Sequence, residues 1–544
     1  MYGRWKPRAL NRYKYLPYLL SRDFAKMGRT YNDAIAALNS LQSNFSIVQE
    51  IRKSGGRMND QAMAEMVEWC ARIGYKPADF DKLNLIHIAG TKGKGSTCAF
   101  ISSILSQYIP VTLRDDAQSP QLSSRSRISK VGLYTSPHLR FVRERIQINN
   151  TPISEEQFAK YFFEIWDRLE DTSRRNGVDP ADPATKPIYF RYLTLMAWHI
   201  YLREDVDAAI IECGIGGEYD STNILNKPIA AGITSLGIDH VELLGNSIEQ
   251  IAWHKAGIIK RGSMAFTAPQ PENALDVLKR RGKEKGVEVH VAEGHPELVP
   301  GNIRLGLSGD FQYKNAELAV AIATSFLRAR GVKDVPSYID KESLTAPIIT
   351  GLENASLGGR CEIRQEKNIS WHIDGGHTLE SIEATGRWFS SQSSTRNLQS
   401  GEHVKAQVLI FNQQTRDSTA LARALHGVLS ASNCLFTHAI FCTNVTFKEA
   451  GYRPDLMSIN TDATDVMKLG VQNSLAKTWR EISPNTKVEV KSTIEEAVEY
   501  VRNLASNKEG QSQMGEITVS ALVTGSLHLV GGLIEVLETI PGRE

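Results

Sequence analysis

The sequence has almost no net charge and few cysteines, and these two absences exclude several classes of protein. Its 544 residues carry a formal charge of +2, so composition gives no support for a nucleic-acid partner bound through bulk electrostatics. Only six cysteines are present, and none form the CxxC pairs that are typical of zinc sites. They are also too sparse for a disulfide-stabilised fold. The cysteines therefore indicate a reducing compartment.

Long apolar runs are missing as well. The least polar long stretch, SALVTGSLHLVGGLIEVL at 520–537, contains His528, Glu535 and paired glycines. These residues favour a buried strand followed by a helix over a membrane span. No stable insertion into a membrane is expected.

The N-terminus differs from the rest of the chain in its charge. Six basic side chains occur in the first 22 residues, and the first acidic residue is Asp23. Two interpretations remain open, an organelle transit peptide and a disordered basic arm. The first predicts a mitochondrial protein, in the matrix or associated with the inner membrane, and the second is compatible with the cytoplasm.

The order of patterns along the chain predicts two α/β domains. After a basic extension (1–29), short β-branched runs alternate with amphipathic stretches up to residue 352, which indicates a mainly parallel sheet covered by helices. A second alternation, over 353–544, predicts a smaller Rossmann-like domain. Ligands of such sheets bind at the carboxyl ends of the strands, so the chemistry is expected in those loops.

The segment HIAGTKGKGSTCAF (87–100) predicts a phosphate-binding loop between a strand and a helix. In such a loop Lys94 reaches the outer phosphates, and a hydroxyl of Ser96 or Thr97 lies near the metal or phosphate oxygens. The fit to the common pattern is incomplete, because Ile88 stands where the first glycine is expected and Gly95 follows the lysine. The alternative is a tight glycine turn, which leaves the lysines unexplained.

Two other predicted strands also end in polar residues. Ser136 follows VGLYT, and Glu212 follows AAII and precedes a glycine-rich turn. A carboxylate at the tip of a buried strand is a common partner for Mg²⁺ opposite the phosphates. The alternatives are a Ser-Pro turn and a strand-terminal glutamate that faces water.

Two further candidates, His240 and Lys255, are weaker when judged from the residues alone. His240 follows an apolar strand, but histidine is a mediocre ligand for Mg²⁺, and a turn or core histidine is the commoner role. Lys255 lies between apolar residues, where an amine is either reactive or extends to the surface.

Taken in order, these segments resemble the folylpolyglutamate synthase family of the Mur-ligase group, and its eukaryotic branch in particular. The resemblance covers Tyr31 to Gly532. Its motifs are GTKGKGS, YTSPHL, ECGIGGEYDSTN, GIDHVELLG, KAGI, GRCE, DGGHTLES and VTGSLHLVGG.

The resemblance implies an ATP-dependent ligase that adds L-glutamate to the γ-carboxylate of a reduced folate. It implies a monomer with small-molecule substrates, with Mg²⁺ and possible use of a monovalent cation such as K⁺. Lys255 matches a lysine that is carbamylated in this group, and Lys94, His240 and Lys255 are the catalytic candidates. The implied ATP contacts are Gly93, Lys94, Gly95, Ser96, Asn315, Arg360 and Asp374, and the implied metal ligands are Ser136, Glu212 and His240.

The sequence departs from the family pattern at three places. Leu357-Gly358-Gly359 stands in place of Trp-Pro-Gly, Phe311 in place of a common His, and His254 in place of a common Glu. Within the class, a dihydrofolate synthase or a bifunctional enzyme remains open. From another class, a P-loop nucleotide switch or kinase without ligase activity is the alternative.

Overall fold

The fold is described by a computed structural model that covers residues 29–41, 60–110, 128–399, 406–414, 417–448, 469–506 and 518–539. The predicted basic extension, 1–29, lies outside these residues apart from Arg29. Two sheets organise the chain, one of eight strands and one of six. No described helix has the length and apolar character needed to cross a membrane.

The first sheet is parallel over six strands and has two antiparallel strands at one edge. Its order is β4-β3-β2-β5-β1-β6-β7-β8. Because β1 lies at the centre, with β5 and β6 on either side, the loops after these strands meet at one edge. The strands are β1 (Leu85–Ala89), β2 (Val131–Tyr134), β3 (Ile146–Ile148), β4 (Thr151–Pro152), β5 (Ala208–Glu212), β6 (Ala230–Ile233), β7 (Met264–Thr267) and β8 (Val289–Val291).

Helices cover both faces of this sheet, since its strands are apolar on both sides. On β1, Leu85 packs into an aromatic core with Trp198 and Phe162, whereas Ile86 and Ile88 face a second core. The helices are α1 (Tyr31–Ser40), α2 (Asp60–Arg72), α3 (Lys94–Ser106), α4 (Glu155–Arg175), α5 (Tyr189–Arg203), α6 (Val241–Leu244), α7 (Ile248–Lys255), α8 (Glu272–Glu284), α9 (Phe311–Ala329) and α10 (Ala346–Glu353).

The second sheet has the order β13-β12-β11-β14-β10-β9, and only β9 is antiparallel to its neighbour. The predicted α/β class is confirmed for both sheets. The predicted boundary at residue 352 falls one residue before the end of α10, and where the domains separate stays a prediction. The elements are β9 (Glu362–Glu366), β10 (Ile369–Ile373), α11 (Leu379–Gln399), β11 (Ala406–Phe411), α12 (Ser418–Ala431), β12 (His438–Cys442), α13 (Gly470–Ile482), β13 (Lys487–Lys491), α14 (Ile494–Ser506), β14 (Val519–Thr524) and α15 (Leu527–Thr539).

The loop that follows β2 packs directly against α15 and so joins the two sheets. Leu139 lies against the core of the second sheet, and Arg140 Nε donates a hydrogen bond to Glu535 Oε2 at 3.0 Å. Arg140 also pairs with Glu538. A Cβ atom on Gly531 would lie 2.1 Å from the Leu139 carbonyl oxygen. Glycine therefore permits this close approach of the backbones.

We expect Gly531→Ala to lower the free energy of unfolding by about 1–3 kcal/mol, because the added methyl group forces the Leu139 backbone away from α15. Gly427→Ala is the matched control, since Gly427 lies on α12 with no atom within 4 Å of its Cβ position. Helix propensity predicts that this control stabilises the protein by up to about 1 kcal/mol. Urea denaturation of both variants measures whether the free energy of unfolding falls in Gly531→Ala and rises in Gly427→Ala. Equal effects would contradict the proposed contact.

Candidate active site

The predicted phosphate loop connects β1 to α3 at the centre of the first sheet. Gly93 adopts a φ of +89°, and a Cβ atom there would lie 2.2 Å from Asn315 Oδ1. The N–H groups of Thr91 and Lys92 each donate to the Ser235 carbonyl at 3.1 Å, which fixes the loop to the segment after β6. The loop is thus anchored at Ser235, and glycine at position 93 leaves room for the Asn315 side chain.

The first turn of α3 presents its backbone donors at the end of this loop. The first bond of the helix runs from the Thr97 N–H to the Gly93 carbonyl at 2.8 Å. The three N–H groups before it, on Lys94, Gly95 and Ser96, have no carbonyl partner within the helix. Together with the helix dipole they form a site that is suited to an anion such as phosphate.

Two lysines converge on one backbone oxygen of the loop. Lys94 Nζ donates to the Gly90 carbonyl at 3.2 Å, and Lys255 Nζ donates to the same oxygen at 2.8 Å. Lys94 lines the cleft, whereas Lys255 lies behind the loop with 4% of its surface exposed. Burial, and then the positive charge of Lys94, lower the pKa of Lys255 to about 7. The alternative in which Lys255 extends to the surface is therefore wrong.

Glu212 ends β5 beside the loop and is buried, so the alternative of a water-facing glutamate is also wrong. Its Oε2 accepts a hydrogen bond from the Ser136 N–H at 2.9 Å. Burial raises the pKa of Glu212, while the charges of Lys94 and Arg360 lower it. A side chain on Gly95 would point toward this carboxylate, since its Cβ position lies 3.8 Å from Glu212 Oε2.

His240 also lines the cleft but is more exposed than Glu212. It precedes α6 with a φ of +51°, and its N–H donates to Asp239 Oδ1 at 2.9 Å. His240 Nε2 lies 4.0 Å from Asp239 Oδ2. The backbone turn at His240 therefore directs the ring and the Asp239 carboxylate into one region of the cleft.

The residues gathered here fit a magnesium ion that is held jointly with a substrate. Within the described ranges, no three His, Cys, Asp or Glu side chains lie close enough to hold a metal by themselves. Magnesium in nucleotide sites commonly takes one or two carboxylates, with phosphate oxygens and water as its other ligands. Glu212 offers a buried carboxylate of this kind, and Ser136 offers a hydroxyl oxygen.

The second sheet contributes Arg360 and Asp374 to the opposite wall. Asp374 Oδ2 accepts from the Cys361 N–H at 3.0 Å, and Asp374 Oδ1 accepts from Thr385 Oγ1 at 2.6 Å. The carboxylate therefore connects the turn after β10 to the start of β9 and to α11. The cleft between the two walls has a volume of about 1800 Å³.

Asn315, on α9, is part of a chain of side-chain hydrogen bonds that reaches the phosphate loop. Asn315 Nδ2 donates to Gln312 Oε1 at 2.8 Å, and Gln312 Nε2 donates to Ser96 Oγ at 3.3 Å. Phe311 stands at the start of the same helix and lines the cleft. The hydroxyl of Ser96 is thus engaged by α9.

Sequence reasoning missed two features of the site. Asp220 is buried in the turn after Glu212, where it accepts hydrogen bonds from the Ile215 N–H and Thr222 Oγ1 at 2.9 and 2.6 Å. The Asp-Ser-Thr sequence of a helix cap was the available signal. Lys92, in the loop, pairs with Glu380 of the second sheet's first helix, and no local pattern indicates that pairing.

The site combines a phosphate loop after β1 with a buried carboxylate on β5, the neighbouring strand of the sheet. Its cleft is shared with a second sheet. These features define a two-domain nucleotide-binding enzyme. Residues 360–536 match the family model for the dihydrofolate synthetase C-terminal domain. The folylpolyglutamate synthase of Saccharomyces cerevisiae (strain YJM789) is 43% identical over 548 residues, covering 99% of this chain and 93% of that protein. The chain belongs to the folylpolyglutamate synthase family.

Solved structures of this family share the fold. Mycobacterium tuberculosis folylpolyglutamate synthase complexed with ADP matches with a TM-score of 0.62 and 22% identity, over 94% of this chain and 99% of that one. The apo form of the L. casei enzyme matches with a TM-score of 0.62 and 20% identity, over 94% and 100% of the two chains.

Proposed function

We propose that this chain is an ATP-dependent ligase that adds L-glutamate to the γ-carboxylate of a reduced folate and its polyglutamates. The observation that carries the proposal is the convergence of Lys94, Glu212 and Arg360 on one cleft, in a chain 43% identical to a folylpolyglutamate synthase over nearly its full length. A related structure is described as a complex with AMPPCP and folate. ATP, for which AMPPCP stands in, and a folate are two of the three substrates that this reaction requires, and L-glutamate is the third.

The reaction needs ATP because a carboxylate does not condense with an amine at neutral pH. An oxygen of the folate γ-carboxylate attacks the γ-phosphorus, the bond to the bridging oxygen breaks, and ADP leaves. The glutamate nitrogen then attacks the carbonyl carbon of the acyl phosphate, loses a proton, and inorganic phosphate leaves as the amide forms. Lys94 and the N–H groups of Lys94–Ser96 stabilise the negative charge on the transferred phosphoryl group.

The residues that would hold Mg²⁺ are Glu212, Ser136 and His240. When bound, the ion would supply positive charge to the phosphate oxygens. Arg360, from the second sheet, would add a cation on the opposite side, and Asn315 and Asp374 would complete the nucleotide contacts. Closure of the cleft around these groups would exclude water that hydrolyses the acyl phosphate.

Carbamylation of Lys255 is part of the same proposal. A neutral amine reacts with CO₂ by forming an N–C bond and releasing a proton, and a pKa of about 7 leaves about half of the amine neutral at pH 7. The product is an anion close to Lys94, whose positive charge favours it. The carbamate would thus replace a buried cation by a carboxylate-like group beside the loop.

Two alternative functions are less well supported. A dihydrofolate synthase uses the same machinery, but the full-length relatives are folylpolyglutamate synthases, which favours the polyglutamate product. A P-loop switch or kinase would hydrolyse or transfer phosphate without glutamate. ADP release that requires both a reduced folate and L-glutamate distinguishes the ligase from that class.

The proposal extends to the cellular setting of the enzyme. We infer a monomer that acts on small molecules without nucleic acid, in the cytoplasm, the mitochondrion or both, with K⁺ as a further cation. Fractionation and gel filtration of the native protein test the compartment and the oligomeric state.

We expect Lys94→Ala to reduce glutamate-dependent ADP release by at least about 100-fold, because it removes a cation that faces the developing charge. Circular dichroism should show an intact fold. Lys82→Ala, an exposed lysine just before β1, is the control and should retain full activity. Full activity of Lys94→Ala would contradict the assignment of this loop as the phosphate-binding site.

We expect protein incubated with ¹³C-bicarbonate to show a carbamate ¹³C resonance that Lys255→Met lacks. Below pH 7 the reactive neutral fraction of an amine with a pKa of about 7 falls about tenfold per pH unit, so the resonance should be strong at pH 8 and weak at pH 6. Lys260→Met, which removes a nearby, partly buried lysine, should keep the signal. A resonance that survives in Lys255→Met would exclude Lys255 as the carbamate.

A further inference from the structure

Arg145 is a buried cation in the cleft wall that forms no direct ion pair with a carboxylate among the described residues, although its charge helps to lower the pKa of Glu212. It is 9% exposed and lines the cleft. Two other arginines of the cleft are neutralised, since Arg140 pairs with Glu535, and Arg191 pairs with Glu65. Burying a guanidinium without a counter-ion is costly, so this position indicates a site that an anion completes.

The surroundings of Arg145 orient its guanidinium. Its Nε donates to His138 Nδ1 at 2.9 Å, and the Tyr189 ring centroid lies 5.7 Å from its Cζ. His138 accepts this bond through Nδ1 and so orients the guanidinium. The terminal nitrogens of Arg145 make no hydrogen bond to another described residue. They are therefore available for a bidentate contact with a planar anion.

The position of Arg145 in the sheet separates it from the nucleotide phosphates. The phosphate loop follows β1, Glu212 ends β5, Ser136 follows β2, and Arg145 precedes β3. Since the strand order is β3-β2-β5-β1, Arg145 lies about three strand spacings, or roughly 14 Å, from the loop. The backbone of Arg145 therefore lies nearer to Ser136 on β2 than to the phosphate loop.

The distance between β2, which leads to Ser136, and β3, which follows Arg145, fits the length of one glutamyl residue. The reacting γ-carboxylate has to lie beside the γ-phosphate, near Glu212 and Ser136. The α-carboxylate of the same residue is four carbon–carbon bonds of about 1.5 Å each away, roughly 5 Å when extended. One strand spacing from β2 to β3 is about the same length.

We propose that Arg145, positioned by His138, binds the α-carboxylate of the terminal glutamate of the folate acceptor. Arg145 thereby selects acceptors whose reacting γ-carboxylate belongs to a glutamyl residue. This inference rests on the proposed ligase function and assigns one residue of its acceptor site.

The test compares two acceptors that differ only in that carboxylate, tetrahydropteroylglutamate and tetrahydropteroyl-4-aminobutyrate. We expect Arg145→Gln to raise the KM for tetrahydropteroylglutamate by about 10- to 100-fold, the effect of losing a charge-assisted pair. The KM for the aminobutyrate analogue, and those for ATP and L-glutamate, should change by less than about threefold. Arg145→Lys should recover part of the loss.

Arg143→Gln is the matched control, since Arg143 lies in the same short 3₁₀ turn and donates to the Ile153 carbonyl at 3.3 Å. It should leave the KM values for both acceptors unchanged. Thermal denaturation of each variant monitors the fold.

Two kinetic outcomes would overturn the inference. An equal rise in KM for both acceptors would show that Arg145 does not contact the α-carboxylate. A rise confined to the KM for free L-glutamate would place the incoming amino acid at Arg145 instead.

An experiment can distinguish failure of the ligase proposal from failure of the proposal that Arg145 binds the α-carboxylate. If the wild-type protein adds no glutamate to either acceptor, the ligase proposal fails, and calorimetry with the same two compounds still tests Arg145. Tighter binding of tetrahydropteroylglutamate that disappears in Arg145→Gln supports the inference, and equal binding of both compounds by the wild type overturns it.

Discussion

One backbone oxygen organises the centre of the site, because the Gly90 carbonyl accepts hydrogen bonds from both Lys94 and Lys255. The loop that carries this carbonyl is fixed by the Ser235 carbonyl, which accepts from two of its N–H groups. Burial, and then repulsion by the charge of Lys94, lower the pKa of Lys255 to about 7. The loop thus places Lys94 in the cleft and allows Lys255, buried behind it, to be neutral.

The cleft depends equally on the contact between the two sheets. The loop after β2 carries Ser136 toward Glu212 and, three residues later, places Leu139 against the second sheet. Arg140 then pairs with Glu535 and Glu538 on α15. The segment that holds Ser136 is therefore joined directly to the second sheet. Lys92 and Glu380 join the sheets at the phosphate loop, so the cleft is bridged on two sides.

The strand ends were predictable from the sequence, because an apolar run followed by glycines or a lone polar residue is a local pattern. That pattern located Lys94 and Glu212, and the burial of Glu212 excludes its simplest alternative. The shared Gly90 carbonyl and the Lys92–Glu380 pair join residues 165 and 288 positions apart, and no local pattern encodes such pairs. The assignments of Arg360 and Asp374 to ATP came from family resemblance and stay predictions.

The most direct test of the account follows oxygen through the reaction. The folate acceptor is prepared with ¹⁸O in its γ-carboxylate and incubated with ATP and L-glutamate, and the inorganic phosphate is then analysed by mass spectrometry. An acyl phosphate transfers one carboxylate oxygen to phosphate, so each phosphate released with a new amide bond should carry one ¹⁸O atom. Unlabelled phosphate, released at the same rate as the amide forms, would contradict phosphorylation of the carboxylate.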